Sequence, residues 1–309
     1  LLIRARVLLP DAERGFFVGT RFDWSGIIAS LTLGRQEYYG LWFTKTSRTA
    51  RDFVYDGDDI IAGPNTAITG PSEEFDNQNP PGFQEAPAGG TFMKIGVGGL
   101  RKPDTAGYSG FRLYDLVEPG VRSVRTGRSS VEFNHKLGPI GGYAYDYTKR
   151  LVLAPGLPRL TIEHRLRNTG ERPIETRLYN HNFLTFGGAG IGPDLSIMTP
   201  FPVRSATPPP PTAARVENNR IVYAKRLVER ERVTMPVEGF GSGAADHRFH
   251  IDNPALGAGV QIVGDRPLAR VALWSIRTVM AIEPFVDISV APGQAASWSQ
   301  SYDYWAGRA

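Results

Sequence analysis

Almost no stretch of this chain carries apolar residues at helical spacing over three turns, and that single absence confines it to β-structure. Runs rich in β-branched and aromatic residues are separated instead by glycine, proline and asparagine breaks, the punctuation of short strands. The pattern predicts strands at residues 4–9, 19–24, 27–33 and 37–43, and another beginning at 91. Further strands are expected at 111–117, 122–125, 130–136, 143–153 and 159–168, then through a central strand within 175–188 and at 195–203. The last quarter adds 259–263, 269–276, 279–282, 286–290 and 296–304, with turns at Gly264-Asp265, residues 275–277 and Pro292-Gly293. The expected fold is all-β, an antiparallel sandwich of many strands.

The run TPPPPT at 207–212 is a candidate linker, but a hairpin about Asn218-Asn219 resumes at once, so it reads as an exposed loop inside one domain covering 1–309. Residues 44–90 lose the alternation and read as a long irregular loop. Within it Glu73 and Glu74 either line a site or are simply solvated.

Composition narrows the function classes. With 41% hydrophobic and 21% charged residues among 309, and no apolar run near membrane-spanning length, a water-soluble protein without a membrane partner is expected. A net charge of +4 with no block of consecutive Lys or Arg makes nucleic acid a poor partner. The absence of cysteine excludes disulfides, thiolate metal sites and a cysteine nucleophile. His247 and His250, in HRFH, lack the spacing and the carboxylate of a convincing metal site, so no metal is expected. The chain starts at Leu1 without a leader, which fits a removed targeting segment and leaves cytoplasm and export both open.

Chemistry concentrates in two places. In ETRLYNHNFLTFGG, residues 175–188, Arg177, Tyr179, His181 and Phe183 alternate with Thr176, Leu178, Asn180 and Asn182. A histidine between two asparagines and followed by aromatics suits a sugar: imidazole moves protons near neutral pH, carboxamides bond hydroxyls and rings stack on pyranoses. The alternative is a structural histidine satisfied by its neighbours. In VMAIEPF, Glu283 follows an apolar stretch and precedes Pro284, so it is expected at a strand end, where a buried carboxylate needs a partner or a purpose. Paired with His181 it supplies an acid and a base without metal or other cofactor; alternatively it neutralises Arg277. Two further features stand open to both readings. The glycines of KIGVGGLRK mark a bulge or a close backbone approach, with Arg101 beside them as a ligand-bonding or strand-end charge. Tyr143, Tyr145 and Tyr147 form either core or a stacking wall.

These residues carry a resemblance. TRLYNHNFLTFGG is similar to the catalytic-acid strand of the galactose mutarotases and other aldose 1-epimerases, and residues 272–305 resemble the end of that family, with a glutamate as base. RFDWSGIIASLTLGRQEYYG fits its opening strands. The resemblance implies a β-supersandwich with a sugar cleft, His181 protonating the ring oxygen and Glu283 taking the proton of the anomeric hydroxyl. Asn180, Asn182, Arg101 and Trp274 are then binding candidates, with Arg277 beside them. The family also presents a second histidine in the region aligned with residues 96–101, where this chain has none. Either Lys94 or Arg101 takes its place, suiting an anionic sugar, or the activity differs. Three functions stay open: a mutarotase-like isomerase, a polysaccharide lyase on the same scaffold, and a carbohydrate-binding protein without catalysis.

Overall fold

The computed structural model describes residues 2–307. Alternation becomes sheet as expected, and the described residues contain no α-helix, only two single turns of 3-10 helix at Phe186–Gly188 and Ala244–Asp246. A ten-stranded sheet runs, in spatial order, through Val121–Thr126, Ser130–Ile140, Tyr143–Leu153, Arg159–Asn168, Ala295–Trp305, Ala258–Gly264, Arg248–Asn253, Ser196–Met198, Arg220–Tyr223 and Ala214–Glu217. A five-stranded sheet runs through Arg232–Pro236, Arg270–Ile276, Val279–Val290, Ile174–Phe183 and Gly70–Phe75. Three smaller sheets of three strands come from the N-terminal 118 residues. Every pairing is antiparallel except Lys45–Thr46 with Asp59–Ala62.

The five-stranded sheet has two different faces, set by the period of two. Val271, Leu273, Met280 and Ile282 pack with Leu160, Ile162, Val260, Ile262 and Tyr302 of the large sheet to fill the interior. Leu178, Val286 and Ile288 do the same against Tyr145, Tyr147 and Trp298, so the tyrosine stripe is core. On the opposite face Tyr179, Phe183 and Phe285 meet Phe22, Trp42 and Phe83 from the N-terminal segments. These segments cover that face incompletely.

Several expectations need correction, among them residues 111–117, where strand is confined to Leu116–Glu118, and 195–203, where it is confined to Ser196–Met198. Residues 19–24 are not a strand, because their polar groups are satisfied by distant partners: Thr20 N donates to Asn65, Asp23 N to the Glu73 carbonyl and Trp24 N to the Gly96 carbonyl. Residues 44–90 are not one loop. They hold four short strands, among them Gly70–Phe75, which is buried throughout and therefore shows no alternation. Finally, Val279–Val290 is one continuous strand, so Glu283 and Pro284 stand in its middle and not at an end. The glycine turn of KIGVGGLRK is a close approach, as anticipated: Gly96 has φ +80°, and a Cβ there would come within 2.6 Å of the Asp23 carboxylate.

Candidate active site

Pro284 shapes the centre of the five-stranded sheet. Its ring leaves no N–H to donate, which is costly in a central strand unless the ladder yields. The ladder between Ile174–Phe183 and Val279–Val290 runs regularly from Ile174 opposite Val290 to Tyr179 opposite Phe285, then stops. It resumes only as a bridge between Leu184 and Met280. Within the gap the Asn182 carboxamide donates to the Ile282 carbonyl at 2.8 Å, replacing a missing backbone partner. The opened stretch carries His181 on one strand and Glu283 on the other, and His181 Nε2 lies 3.1 Å from Glu283 Oε1.

This pair faces a cleft of about 350 Å³ on the outer face of the sheet. Trp274 and Ala272 form its floor on the Glu283 side, since Ala272 sits opposite Glu283 and Trp274 two residues further along the same strand. Trp42, Phe53, Phe111, Arg21, Asp52 and Arg270 complete the wall. The imidazole stacks on Phe183, centroids 3.7 Å apart, and meets the edge of Trp274 at 5.4 Å. Its Nδ1 is buried without a partner, so among the described residues the polar contact that orients the ring is on the Glu283 side. A larger hollow of about 990 Å³ lies elsewhere, between the first strand and the ends of Ser130–Ile140 and Tyr143–Leu153; its lining is mostly apolar and holds no carboxylate.

Electrostatics favour the uncharged form of the pair. Burial pushes the Glu283 carboxyl up to about 7, against the pull of Arg21 and Arg270. Burial, reinforced by the Arg21 charge, holds His181 well below its usual range, so the imidazole is neutral. Both shifts favour the carboxyl over the imidazole as the carrier of the pair's titratable proton, and a carboxyl near 7 is partly protonated and partly ionised at neutral pH.

Beneath the cleft the two glutamates of Gly70–Phe75 point to opposite sides. Glu74 accepts from Arg21 Nε at 2.9 Å, from Tyr179 at 2.6 Å and from Lys94 at 3.1 Å. Arg21 also donates to the Tyr179 hydroxyl at 2.7 Å and is flanked by the rings of Phe22 and Phe111, at 4.5 and 4.6 Å. Burial alone would lower the Arg21 pKa, but Tyr179 and Glu74 more than offset it, so this guanidinium is a permanent cation. Glu73 turns inward to Lys149 at 2.5 Å, to His164 at 2.9 Å and to Asn180 at 2.8 Å. Burial would raise its pKa, yet His164 and Lys149 hold it well below the usual carboxylate range. It braces the space between the sheets.

The sequence-predicted residues thus separate. His181, Glu283 and Trp274 come together in the cleft. Asn180 and Asn182 alternate to the interior face, where Asn182 accepts from Tyr302 at 2.9 Å. Lys94 is fully buried and gives its protons to Glu74 and to the Phe75 and Asp76 carbonyls. Arg101 points outward and donates to the Gly89 carbonyl at 3.2 Å. Arg277 donates to the Glu229 and Asp58 carbonyls, away from the cleft lining, and does not neutralise Glu283. His247 and His250 make separate contacts, with Gln300 and Trp305. Arg21, Asp52, Arg270 and Ala272 were not singled out beforehand. For Arg21 the available signal was a cationic residue within RFDWSG, upstream of an adjacent Glu pair and a lone Lys.

No family model matches the chain, and no curated protein sequence matches it. Solved structures do. A GalM/aldose epimerase homologue from C. elegans superposes with a TM-score of 0.55 at 12% identity, over 99% of this chain and 100% of that one. A galactose mutarotase-like protein from Lactobacillus casei gives 0.53 at 12% identity, over 98% and 100%. A galactose mutarotase related enzyme from Lactobacillus acidophilus gives 0.52 at 11%, over 98% of each chain. The fold is that of the galactose mutarotase-like β-supersandwich. Among the described residues no helix is long and apolar enough to cross a membrane.

Proposed function

We propose that this protein is a sugar isomerase that interconverts the anomers of a reducing monosaccharide by proton transfer at His181 and Glu283. The observation that carries the reading is the contact of these two groups, 3.1 Å apart at a cleft, with the carboxyl at about pKa 7 beside a neutral imidazole. A general acid or base works best with a pKa near the operating pH. Similarity of fold to proteins described as mutarotase-like supports the reaction class.

The protonation directions favour a specific order of steps. With the sugar ring over Ala272 and beside Trp274, the Glu283 carboxyl gives its proton to the ring oxygen as the bond from that oxygen to C1 breaks. His181 Nε2 takes the proton of the C1 hydroxyl, leaving a C1 aldehyde. Rotation about the bond from C1 to C2 presents the other face, and reclosure returns both protons. This reverses the roles implied by the sequence resemblance: the resting pair is a carboxyl beside a neutral imidazole, and the buried imidazolium forms only transiently, next to the Glu283 carboxylate that has just lost its proton. Both assignments contain the same number of protons and share one pH–rate profile. The infrared carbonyl band of a protonated Glu283, present at pH 6 and absent in Glu283→Gln, separates them.

Polarimetry or exchange NMR on a panel of free sugars tests the reaction. Acceleration of anomer exchange by the wild type, lowered by about a hundredfold or more in His181→Asn and Glu283→Gln, is expected; no acceleration with any sugar overturns the proposal. For the polysaccharide lyase reading, in which a tyrosine and a histidine take the proton beside a uronate and Arg101 or Lys94 meets its carboxylate, the cleft offers His181 but neither Lys94 nor Arg101, and Tyr179 gives its hydroxyl proton to Glu74; an absorbing unsaturated product from uronic polymers selects it.

A further inference from the structure

We propose that the sugar held in this cleft carries an anionic group, a carboxylate or a phosphate, at the end of the ring remote from C1, and that Arg270 selects it. The inference rests on the cleft being a sugar site as proposed above. Lys94 and Arg101 were the cations that sequence offered for such a group, and neither lines the cleft; Arg21 and Arg270 do. Arg21 is already committed to Glu74 and Tyr179. Arg270 makes no ion pair among the described residues, although the neighbouring Arg177 is closed by a two-pronged pair with Asp287, at 2.6 and 3.1 Å.

The placement of Arg270 follows from the sheet register. Arg270, Ala272 and Trp274 lie on the cleft face of one strand, with Ala272 opposite Glu283 and Arg270 opposite Phe285. Two residues along an antiparallel strand advance about 6.8 Å. That step is of the order of the span from C1 of a pyranose to a substituent beyond C5. The side chain of Ala272 ends at Cβ, so the space between Trp274 and Arg270 stays open for the ring. A sugar with C1 at His181 and Glu283 then reaches Arg270 with its far end.

The guanidinium is also held ready. It lies over the Phe285 ring, 5.0 Å from the centroid, and Phe285 is itself buried and stacked on Tyr179 at 4.4 Å. A guanidinium lying over a ring keeps its N–H groups free to bond two oxygens of one anion. Arg270 borders the adjoining hollow as well, so the anion sits at the mouth of the site and need not be fully stripped of water.

Titration calorimetry decides the matter independently of turnover. Glucose, glucuronate and glucose 6-phosphate, with the galactose series beside them, are titrated into the wild type and into Arg270→Gln and Arg270→Glu, with inorganic phosphate as control. An anionic sugar is expected to bind roughly tenfold to a hundredfold tighter than its neutral partner. That ratio should fall to near one in Arg270→Gln and invert in Arg270→Glu, with thermal midpoints unchanged. Which of the two acids binds tighter identifies carboxylate or phosphate. Equal binding of neutral and anionic sugars, a preference that survives Arg270→Gln, or phosphate binding as tightly as the sugar phosphate overturns the inference while leaving the sugar site standing. Failure of every sugar to bind overturns both.

Discussion

Replacing Glu283 by glutamine should stabilise the protein, and by an amount that depends on pH. The carboxyl has its pKa raised by burial from 4.5 to about 7, and its side chain is only 13% exposed, so little solvent screening applies. At about 1.4 kcal/mol per pKa unit, ionising it in the folded state costs about 3 kcal/mol more than in the unfolded chain. The sign follows from proton counting. Between pH 4.5 and 7 the folded protein keeps a proton that the unfolded chain has released, so raising the pH favours unfolding. The contribution is whole below pH 4.5 and is lost as pH rises through about 7. His181 acts the other way, because its lowered pKa removes stability as pH falls below 6.5, and because it touches Glu283 the comparison is repeated in a His181→Asn background where that contribution is absent. Glutamine has no proton to lose. Urea unfolding of wild type and Glu283→Gln at pH 4.5, 6, 7 and 8 should show a gap that widens by about 3 kcal/mol in favour of the variant. Activity and stability then oppose each other at one residue, as expected of a functional carboxyl. A gap that stays constant from pH 4.5 to 8 would mean that Glu283 titrates as an ordinary solvated carboxylate, and the proton donor at neutral pH would be gone.

Glu74→Gln should destabilise by about 3–5 kcal/mol, because it leaves Lys94 and Arg21 buried without their anion; thermal unfolding reads this directly. Ala272→Leu should fill the floor of the cleft and abolish sugar binding in calorimetry, while the unfolding free energy moves by about 0.5 kcal/mol or less at this partly exposed position. Arg101→Ala should change neither anomer exchange nor the thermal midpoint, since among the described residues its side chain bonds only the Gly89 carbonyl at the surface.

The all-β class was legible because alternation is local: each residue's side relative to the sheet depends only on its position along its own strand. The same property exposed His181 on the face shared with Tyr179 and Phe183, and the apolar run before Glu283 marked that carboxylate as buried. Trp274 was named only through the family resemblance. Local pattern failed wherever a residue's environment is made by distant chain. The strand Gly70–Phe75 is buried on both sides and reads as a loop with two acids; only the folded chain brings Lys149 and His164 to one glutamate and Lys94 and Arg21 to the other. Residues 19–24 look extended but are tied to Asn65, Glu73 and Gly96. Asn180 and Asn182 look like a binding pair beside a histidine, yet a period of two sends them to the opposite face from it.

By itself the sequence determined that the chain forms strands, which of them bury one face, and that an imidazole on an alternating strand and a carboxylate beside an apolar run lie 102 residues apart in number, at 181 and 283. Tertiary structure alone decided that they meet, because the meeting depends on a ladder that opens at Pro284 and on a register between two strands that no local pattern encodes. It also decided which cations line the cleft. A side chain's charge is written in the sequence, but whether that charge is spent on a buried partner or left facing a cleft depends on which distant residues the fold places beside it.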